Sequence, residues 1–272
     1  MRDIAGTKGC VVNVMKSFAL DGKVVLLTGG AGLYGRQLVA ALAEAGATVC
    51  IAARHKDKLE TVASEEASRG YRVLPYELDQ GSEASILALR KCVLAEHGKV
   101  DVLVNNAVLR CAMSWDAAPE ALDQSFHVNA TGLIVVTRVF GDEMARCGSG
   151  SIINISSMMG MVGAEPANYA GSAMEGSWNA DYHFHKGGMI NFTRQAASYY
   201  GRSGVRVNCI SPGGFQTPDH DPRFVRQYSE RTQLGRMAGP EDLKGIIVFL
   251  ASEASSYITG TNIPVDGGYT AK

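Results

Sequence analysis

Thr28-Gly29-Gly30-Ala31-Gly32-Leu33-Tyr34-Gly35 follows the short apolar run Lys23–Leu27 and precedes a stretch in which Leu38, Val39, Leu42 and Ala45 recur at helical spacing. From Gly30 to Gly35 the pattern is G-x-G-x-x-G between a strand and a helix, where a dinucleotide fold places its phosphate cradle. Glycine allows the tight turn and the close approach of backbone to pyrophosphate. The helix start adds free N–H groups and a partial positive charge. Residues Gly29, Gly32, Leu33, Tyr34 and Gly35 are therefore the expected phosphate-side contacts.

Working outward, strand-like runs alternate with helical ones. Strands are expected at Thr48–Ala53, Tyr71–Leu78, Val100–Asn106, Ser151–Ser156, Val205–Ser211 and Asn262–Val265. Helices are expected at Asp57–Ser68, Ser82–Glu96, Pro119–Arg146, Tyr182–Tyr200 and Pro240–Ala251. This alternation predicts an α/β fold: a single-domain, Rossmann-like, doubly wound parallel sheet with helices on both faces. Residues 18–272 form that domain, and residues 1–17 read as an N-terminal appendage. Met158–Asp181 and Gly213–Gln233 fit the alternation poorly, and long segments of this kind in compact domains are often functional.

Composition narrows the function. The 272 residues are 46% hydrophobic and 19% charged, enough apolar material for a substantial core, and the formal net charge is −1. No basic excess points to nucleic acid or an anionic membrane. The longest strongly apolar run, Ile246–Ala251, is far short of the roughly 20 residues a membrane helix needs. The charged start, with Arg2, Asp3 and Lys8, is unlike a secretory signal. Six cysteines form no C-x-x-C pair, which suits reduced thiols and a cytoplasmic location. The expected partner is a small-molecule substrate.

The second strand ends Ala52-Ala53-Arg54-His55-Lys56. No carboxylate stands there to accept from a ribose 2′-hydroxyl, whereas Arg54 suits a 2′-phosphate. NADP(H) is thereby favoured, with NAD(H) the alternative. Tyr182 and Lys186 are four apart at a predicted helix start, on one face. A tyrosine of ordinary pKa near 10 is a weak base at neutral pH. Lowering it by about 3 units takes roughly 4 kcal/mol, and a neighbouring cation supplies about 1–3 units of that.

These elements occur in one order: the glycine stretch, Leu78-Asp79, Asn105-Asn106-Ala107, Asn129, Ile155-Ser156-Ser157, Tyr182-x-x-x-Lys186, Asn208, Ser211-Pro212-Gly213 and Val265-Asp266-Gly267-Gly268. In this the chain resembles the short-chain dehydrogenase/reductase family from about residue 18 to 270. The resemblance implies NAD(P)-dependent hydride transfer between a secondary alcohol and a ketone. It implies Tyr182 as acid/base, Lys186 lowering its pKa and holding the nicotinamide ribose, Ser157 polarising the substrate oxygen, and Asn129 holding a relay water. It also implies Asp79 on the adenine, Asn106 beside the cofactor, and Gly213 with Thr217 on the carboxamide side. Pairing of two long helices across a two-fold axis would give a homodimer or homotetramer.

Three departures stand out. Leu33 replaces a glycine of many members, Val108 follows Asn-Asn-Ala in place of glycine, and the gap from Ser157 to Tyr182 is long. The extra residues include Tyr169, Glu175, Trp178 and Asn179, and similar inserts occur in gluconate 5-dehydrogenase-like and sugar-modifying members. A sugar, sugar acid or polyol is the expected substrate, and a 3-oxoacyl or general ketone reductase is the runner-up. A catalytically silent cofactor sensor is the alternative of another class. In the flap, about 213–236, Arg223 and Arg226 are candidates for a substrate carboxylate or phosphate. Asp181, His183 and His185 lack a third ligand at zinc spacing, so no metal is expected.

Overall fold

The computed structural model describes residues 13–176 and 179–271. Seven strands form one parallel sheet in the order β3-β2-β1-β4-β5-β6-β7. They are β1 (Val24–Thr28), β2 (Thr48–Ala53), β3 (Val73–Glu77), β4 (Val102–Asn105), β5 (Gly150–Ile155), β6 (Val205–Pro212) and β7 (Asn262–Val265). The chain winds outward from β1 to β3, then crosses back to β4, so the order reverses between β1 and β4. A parallel sheet opens a binding crevice at the carboxyl ends of such strands.

Burial explains why these runs are strands. All five residues of β1 are buried, as expected for a strand covered on both faces. Val25 and Leu27 join a core formed with α1 (Leu33–Glu44), α2 (Lys56–Ser68) and α9 (Lys244–Ala251). Val24 and Leu26 point the other way, into a core with α3 (Glu83–His97), α5 (Leu133–Cys147) and α7 (Ala180–Tyr200). The alternation of side chains along a strand thus feeds two layers.

Some expected boundaries move. The helix expected over Pro119–Arg146 is interrupted: α4 covers Pro119–Phe126, and a π-helical turn covers His127–Gly132 before α5 begins. Gln80 Nε2 donates to Val128 O at 2.9 Å within that turn. Gly132 fits because a β-carbon there would lie 2.2 Å from Gln80 O. The last helix starts at Lys244 rather than Pro240, after a turn. Of the appendage, residues 1–12 lie outside the described residues, as does Trp178. Val14–Phe18 forms a 3₁₀ turn whose Phe18 ring lies 6.0 Å from that of Phe249 on α9.

The two poorly fitting segments gain short elements. A 3₁₀ turn covers Met158–Gly160, α6 covers Pro166–Tyr169, and α8 covers Pro222–Ser229. Met158, Phe224, Tyr228 and Met237 form a third apolar cluster that seats α8 on the end of β5.

Candidate active site

Three elements bring the predicted catalytic residues together. β5 ends at Ile155, so Ser156 and Ser157 emerge at the carboxyl edge of the sheet. Ser156 Oγ donates to Lys186 O at 2.8 Å, tying the strand end to α7. Gly160 lets the next turn pack closely, since a β-carbon there would come within 2.5 Å of the Lys186 backbone. One helical turn separates Tyr182 from Lys186, and the Lys186 ammonium lies 5.6 Å from the centre of the Tyr182 ring. Lys186 is only 4% exposed and donates to Ile155 O at 2.7 Å. An ammonium has three N–H donors, so two remain for a ligand.

Burial pushes the Tyr182 phenol up, but the Lys186 charge, the Arg110 charge, and hydrogen bonding from Ser157 and Arg110 outweigh it. The net result is a phenol below its ordinary range. Burial holds the Lys186 ammonium below its own ordinary value, against the opposing pull of Tyr182. A base that forms more readily thus sits beside a buried cation that has no carboxylate partner among the described residues, which is the electrostatic pattern of proton-transfer sites.

The nucleotide side is built from backbone. Gly29 has φ +75°, and a β-carbon there would lie 2.9 Å from Ala107 Cα. At Gly35 it would lie 2.3 Å from Gly29 O. At Gly32 the nearest neighbour of a β-carbon would be 3.4 Å away, so packing within the chain does not demand glycine there and the space in front of it is open. Gly32 begins α1 without a side-chain cap, and a first helical turn leaves the N–H groups of Leu33, Tyr34 and Gly35 without intrahelical partners. Uncapped donors beside an open glycine fit a pyrophosphate. Asn106 braces the cradle, donating from Nδ2 to Thr28 O at 3.1 Å and Gly29 O at 2.9 Å.

The other expected contacts lie around the same edge. Arg54 is exposed at the end of β2 and has no hydrogen-bond or ion-pair partner among the described residues. Asp79 is exposed beyond β3, with Oδ1 accepting from Gly81 N at 3.0 Å. Gly213 follows β6, and its carbonyl accepts from the Tyr34 hydroxyl at 2.9 Å. Thr217 is partly buried, and its N–H donates to His220 Nδ1 at 3.1 Å. The residues present fit a nicotinamide dinucleotide, whose phosphates the N–H groups of Leu33–Gly35 would hold and whose ribose the free donors of Lys186 would meet. A depression of about 360 Å³ flanks the flap root beside Gly213, Arg236 and Asp266, but Tyr182 and Lys186 do not line it. Side-chain chemistry rather than cavity size locates the site.

Several expected residues make bonds within the protein as well. The Asn129 side chain is 6% exposed and committed to protein: Oδ1 accepts from Leu109 N at 2.8 Å, and Nδ2 donates to Leu109 O at 2.8 Å and Ser125 Oγ at 3.1 Å. Its amide clamps a loop. Ser157 Oγ accepts from Met159 N at 3.1 Å, so it caps a turn as well as facing Tyr182. The Arg223 guanidinium donates to Gly171 O at 3.1 Å, holding the insert rather than facing a substrate. Asp181 and His185 share a helix face, and both meet the buried Ser125 hydroxyl, at 2.5 and 3.0 Å. Considering only spacings of two residues overlooked that pairing. Among the described residues no group of three or more His, Cys, Asp or Glu could hold a metal ion.

Arg110 is the residue that the sequence reading missed. Its guanidinium carbon lies 4.8 Å from the centre of the Tyr182 ring. The only available signal was a lone cation shortly after Asn105-Asn106-Ala107.

A family model described as enoyl-(acyl carrier protein) reductase matches residues 32–270. The chain is 34% identical over 254 residues to the 3-oxoacyl-[acyl-carrier-protein] reductase FabG of Thermotoga maritima, covering 92% of this chain and 98% of that one. It is 35% identical over 255 residues to the cis-4-hydroxycyclohexanecarboxylate dehydrogenase of Sinomonas cyclohexanicum, covering 92% and 97%. A solved gluconate 5-dehydrogenase from Burkholderia cenocepacia, in complex with NADP and tartrate, superposes with a TM-score of 0.85 at 30% identity, covering 96% of this chain and all of that one. With the glycine cradle, the Tyr182–Lys186 pair and these relatives together, the chain belongs to the short-chain dehydrogenase/reductase family, whose enzymes interconvert alcohols and ketones with NAD(P).

Proposed function

We propose that this enzyme acts on a sugar, sugar acid or polyol, with NADP(H) favoured over NAD(H). The observation that carries the substrate class is the insert. α6 carries Tyr169, whose ring lies 5.4 Å from that of Phe224 on α8, and polar side chains such as Glu165, Asn168 and Ser172 accompany it. The insert is tied to α8 by Arg223 and by Gln227 Nε2, which donates to Ala170 O at 3.2 Å. Asn168 and Ser172 are buried and bonded to Tyr269 and to Tyr169 O, so they brace the insert rather than line it; a polar insert of this kind suits a substrate with many hydroxyls. The resemblance to a gluconate 5-dehydrogenase supports the same class, and Arg54 supports the cofactor preference.

A bound nicotinamide supplies the hydride acceptor or donor. In the oxidising direction Tyr182 takes the hydroxyl proton and Ser157 donates a hydrogen bond to the substrate oxygen. Lys186 keeps the phenol acidic and offers its remaining donors to the ribose. Asn129 fixes the loop at Leu109 and holds the water that links Lys186 to solvent.

The runner-up, a 3-oxoacyl or general ketone reductase, is favoured by one feature: Val108, Met113 and Trp115 form an exposed apolar lip after β4, with Trp115 77% exposed. Absorbance of reduced nicotinamide should be followed over polyols, aldonates and a 3-oxoacyl thioester, with both cofactors. The proposal expects turnover of polyols or aldonates, faster with NADP(H). Turnover of the thioester alone would move the assignment to the runner-up. Tight cofactor binding without any turnover would indicate a sensor. Exposed Phe184 on α7, 5.1 Å from Phe126, and exposed Ile134 on α5 support pairing as a homodimer or homotetramer. Free thiols at Cys50, Cys92, Cys111, Cys147 and Cys209 support a cytoplasmic location.

A further inference from the structure

Two cations lie against the Tyr182 ring, and they are differently disposed. Lys186 is buried and already bonded to Ile155 O. Arg110 is exposed on the loop between β4 and α4. Other arginines of the chain, such as Arg36, Arg69 and Arg236, are paired with carboxylates. Arg110 has no carboxylate partner among the described residues; its guanidinium lies against the Tyr182 ring and acts on that phenol by charge and by hydrogen bonding. A guanidinium that only tuned the phenol could be buried with it, as Lys186 is. This one stays exposed while lying against the reacting phenol, with no carboxylate to occupy its fork of donors.

We infer that Arg110 is the anchor for a carboxylate on the substrate, so that the enzyme selects hydroxy acids or oxo acids over neutral alcohols. This rests on the hydride-transfer reading above and narrows it. Guanidinium presents a planar fork of donors that matches the two oxygens of a carboxylate. A substrate oxygen bonded to Tyr182 puts the reacting carbon beside the ring. A carboxylate on Arg110, over the same ring, is then only a few bonds away. The chain's formal net charge is −1, so no overall positive field draws an anion in; of the two cations at the ring, Lys186 is buried, which leaves Arg110 as the exposed one.

The loop supports the role. Asn129 grips both the N–H and the carbonyl of Leu109, each at 2.8 Å. The residue before Arg110 is therefore held at two points, and the guanidinium swings from a fixed base. Tyr182 serves acid and neutral substrates alike, so any effect of Arg110 on the phenol cancels in a ratio of the two.

The test compares kcat/KM for matched pairs: gluconate against glucitol, and 4-hydroxycyclohexanecarboxylate against its carboxamide. Wild type, Arg110→Lys and Arg110→Met are each measured. Calorimetric titration of the same acids and amide into the protein loaded with reduced cofactor gives a second readout. The expected result is that the wild type prefers the acid in at least one pair. Arg110→Met then lowers that preference by about 10- to 100-fold, the range for a hydrogen-bonded charged group, chiefly through KM and the calorimetric Kd. Arg110→Lys, which keeps the charge without the fork, falls between. A preference in Arg110→Met within twofold of wild type, with only the pH profile moved, would overturn the inference and make Arg110 a tuner of Tyr182. Neutral alcohols turned over as well as acids by wild type would also overturn it, while leaving the dehydrogenase reading intact. If no alcohol is turned over with either cofactor, that reading fails, and calorimetry alone decides: equal binding of acid and carboxamide rejects the carboxylate anchor.

Discussion

The two walls of the crevice are made by different means. On the nucleotide wall the backbone does the shaping: Gly29 takes a positive φ, Gly35 leaves no room for a β-carbon, and the start of α1 offers bare N–H groups. On the substrate wall, side chains tie one loop to another. Arg223 and Gln227 on α8 hold the carbonyls of Gly171 and Ala170, and Asp221 Oδ2 accepts from Ala173 N at 2.9 Å. The Tyr228 hydroxyl accepts from Gly214 N at 2.6 Å, closing the flap root. A wall shaped by backbone tolerates few changes and serves one invariant ligand. A wall built from side chains can be retuned without refolding the sheet.

The largest effect expected is on the group between the walls. Tyr182→Phe should lower turnover by a factor of order 10²–10⁴ while cofactor affinity changes little. Near-normal turnover would show that proton transfer is carried elsewhere. On the nucleotide wall, Gly35→Ala should destabilise the fold by about 3 kcal/mol through overpacking and abolish cofactor binding. Gly32→Ala should fold as the wild type does, with weakened cofactor binding its only consequence. Thermal melts and cofactor titrations of the two variants check whether the cradle distinguishes its glycines in this way.

Arg54→Ala should weaken NADP(H) binding by about tenfold, as for one charged hydrogen bond, and leave NAD(H) nearly unchanged. Equal effects on both cofactors would sever Arg54 from the ribose. The smallest effect is expected behind the flap. Hydrogen bonding from Arg236 pulls the Asp242 carboxyl down from 3.8 to about 2, helped by Gly239 N–H and opposed by burial. Because the folded pKa is depressed, this stabilisation is complete above about pH 4 and disappears as pH falls towards 2. Asp242→Asn should therefore melt slightly below wild type at neutral pH, by under about 1 kcal/mol for a partly exposed pair. The difference should shrink on acidification, and melts across that pH range would show it.

Legibility follows the same division. The cradle could be read because a strand, a run of glycines and a helix start are contiguous in the chain. Tyr182 and Lys186 could be read because four residues span one helical turn. Arg110 could not, since it reaches Tyr182 only after the chain has passed through three more α-helices and a strand. Arg223 suggested a substrate contact by charge alone, and the carbonyl it holds, on Gly171, is 52 residues away. Asn129 was found by its place in a motif, but the π-helical turn that presents it depends on Gln80 from another loop. The 3.6-residue periodicity carries no trace of such a bond.

The clamp between Asn129 and Leu109 has a thermodynamic consequence for any ligand of the neighbouring arginine. A backbone residue that must be ordered on binding forfeits roughly 1–2 kcal/mol of conformational entropy. With Leu109 immobilised in advance, capture of an anion need freeze only the rotamers of one long side chain. The asparagine, touching no substrate itself, would strengthen binding by lowering the entropy that remains to be lost.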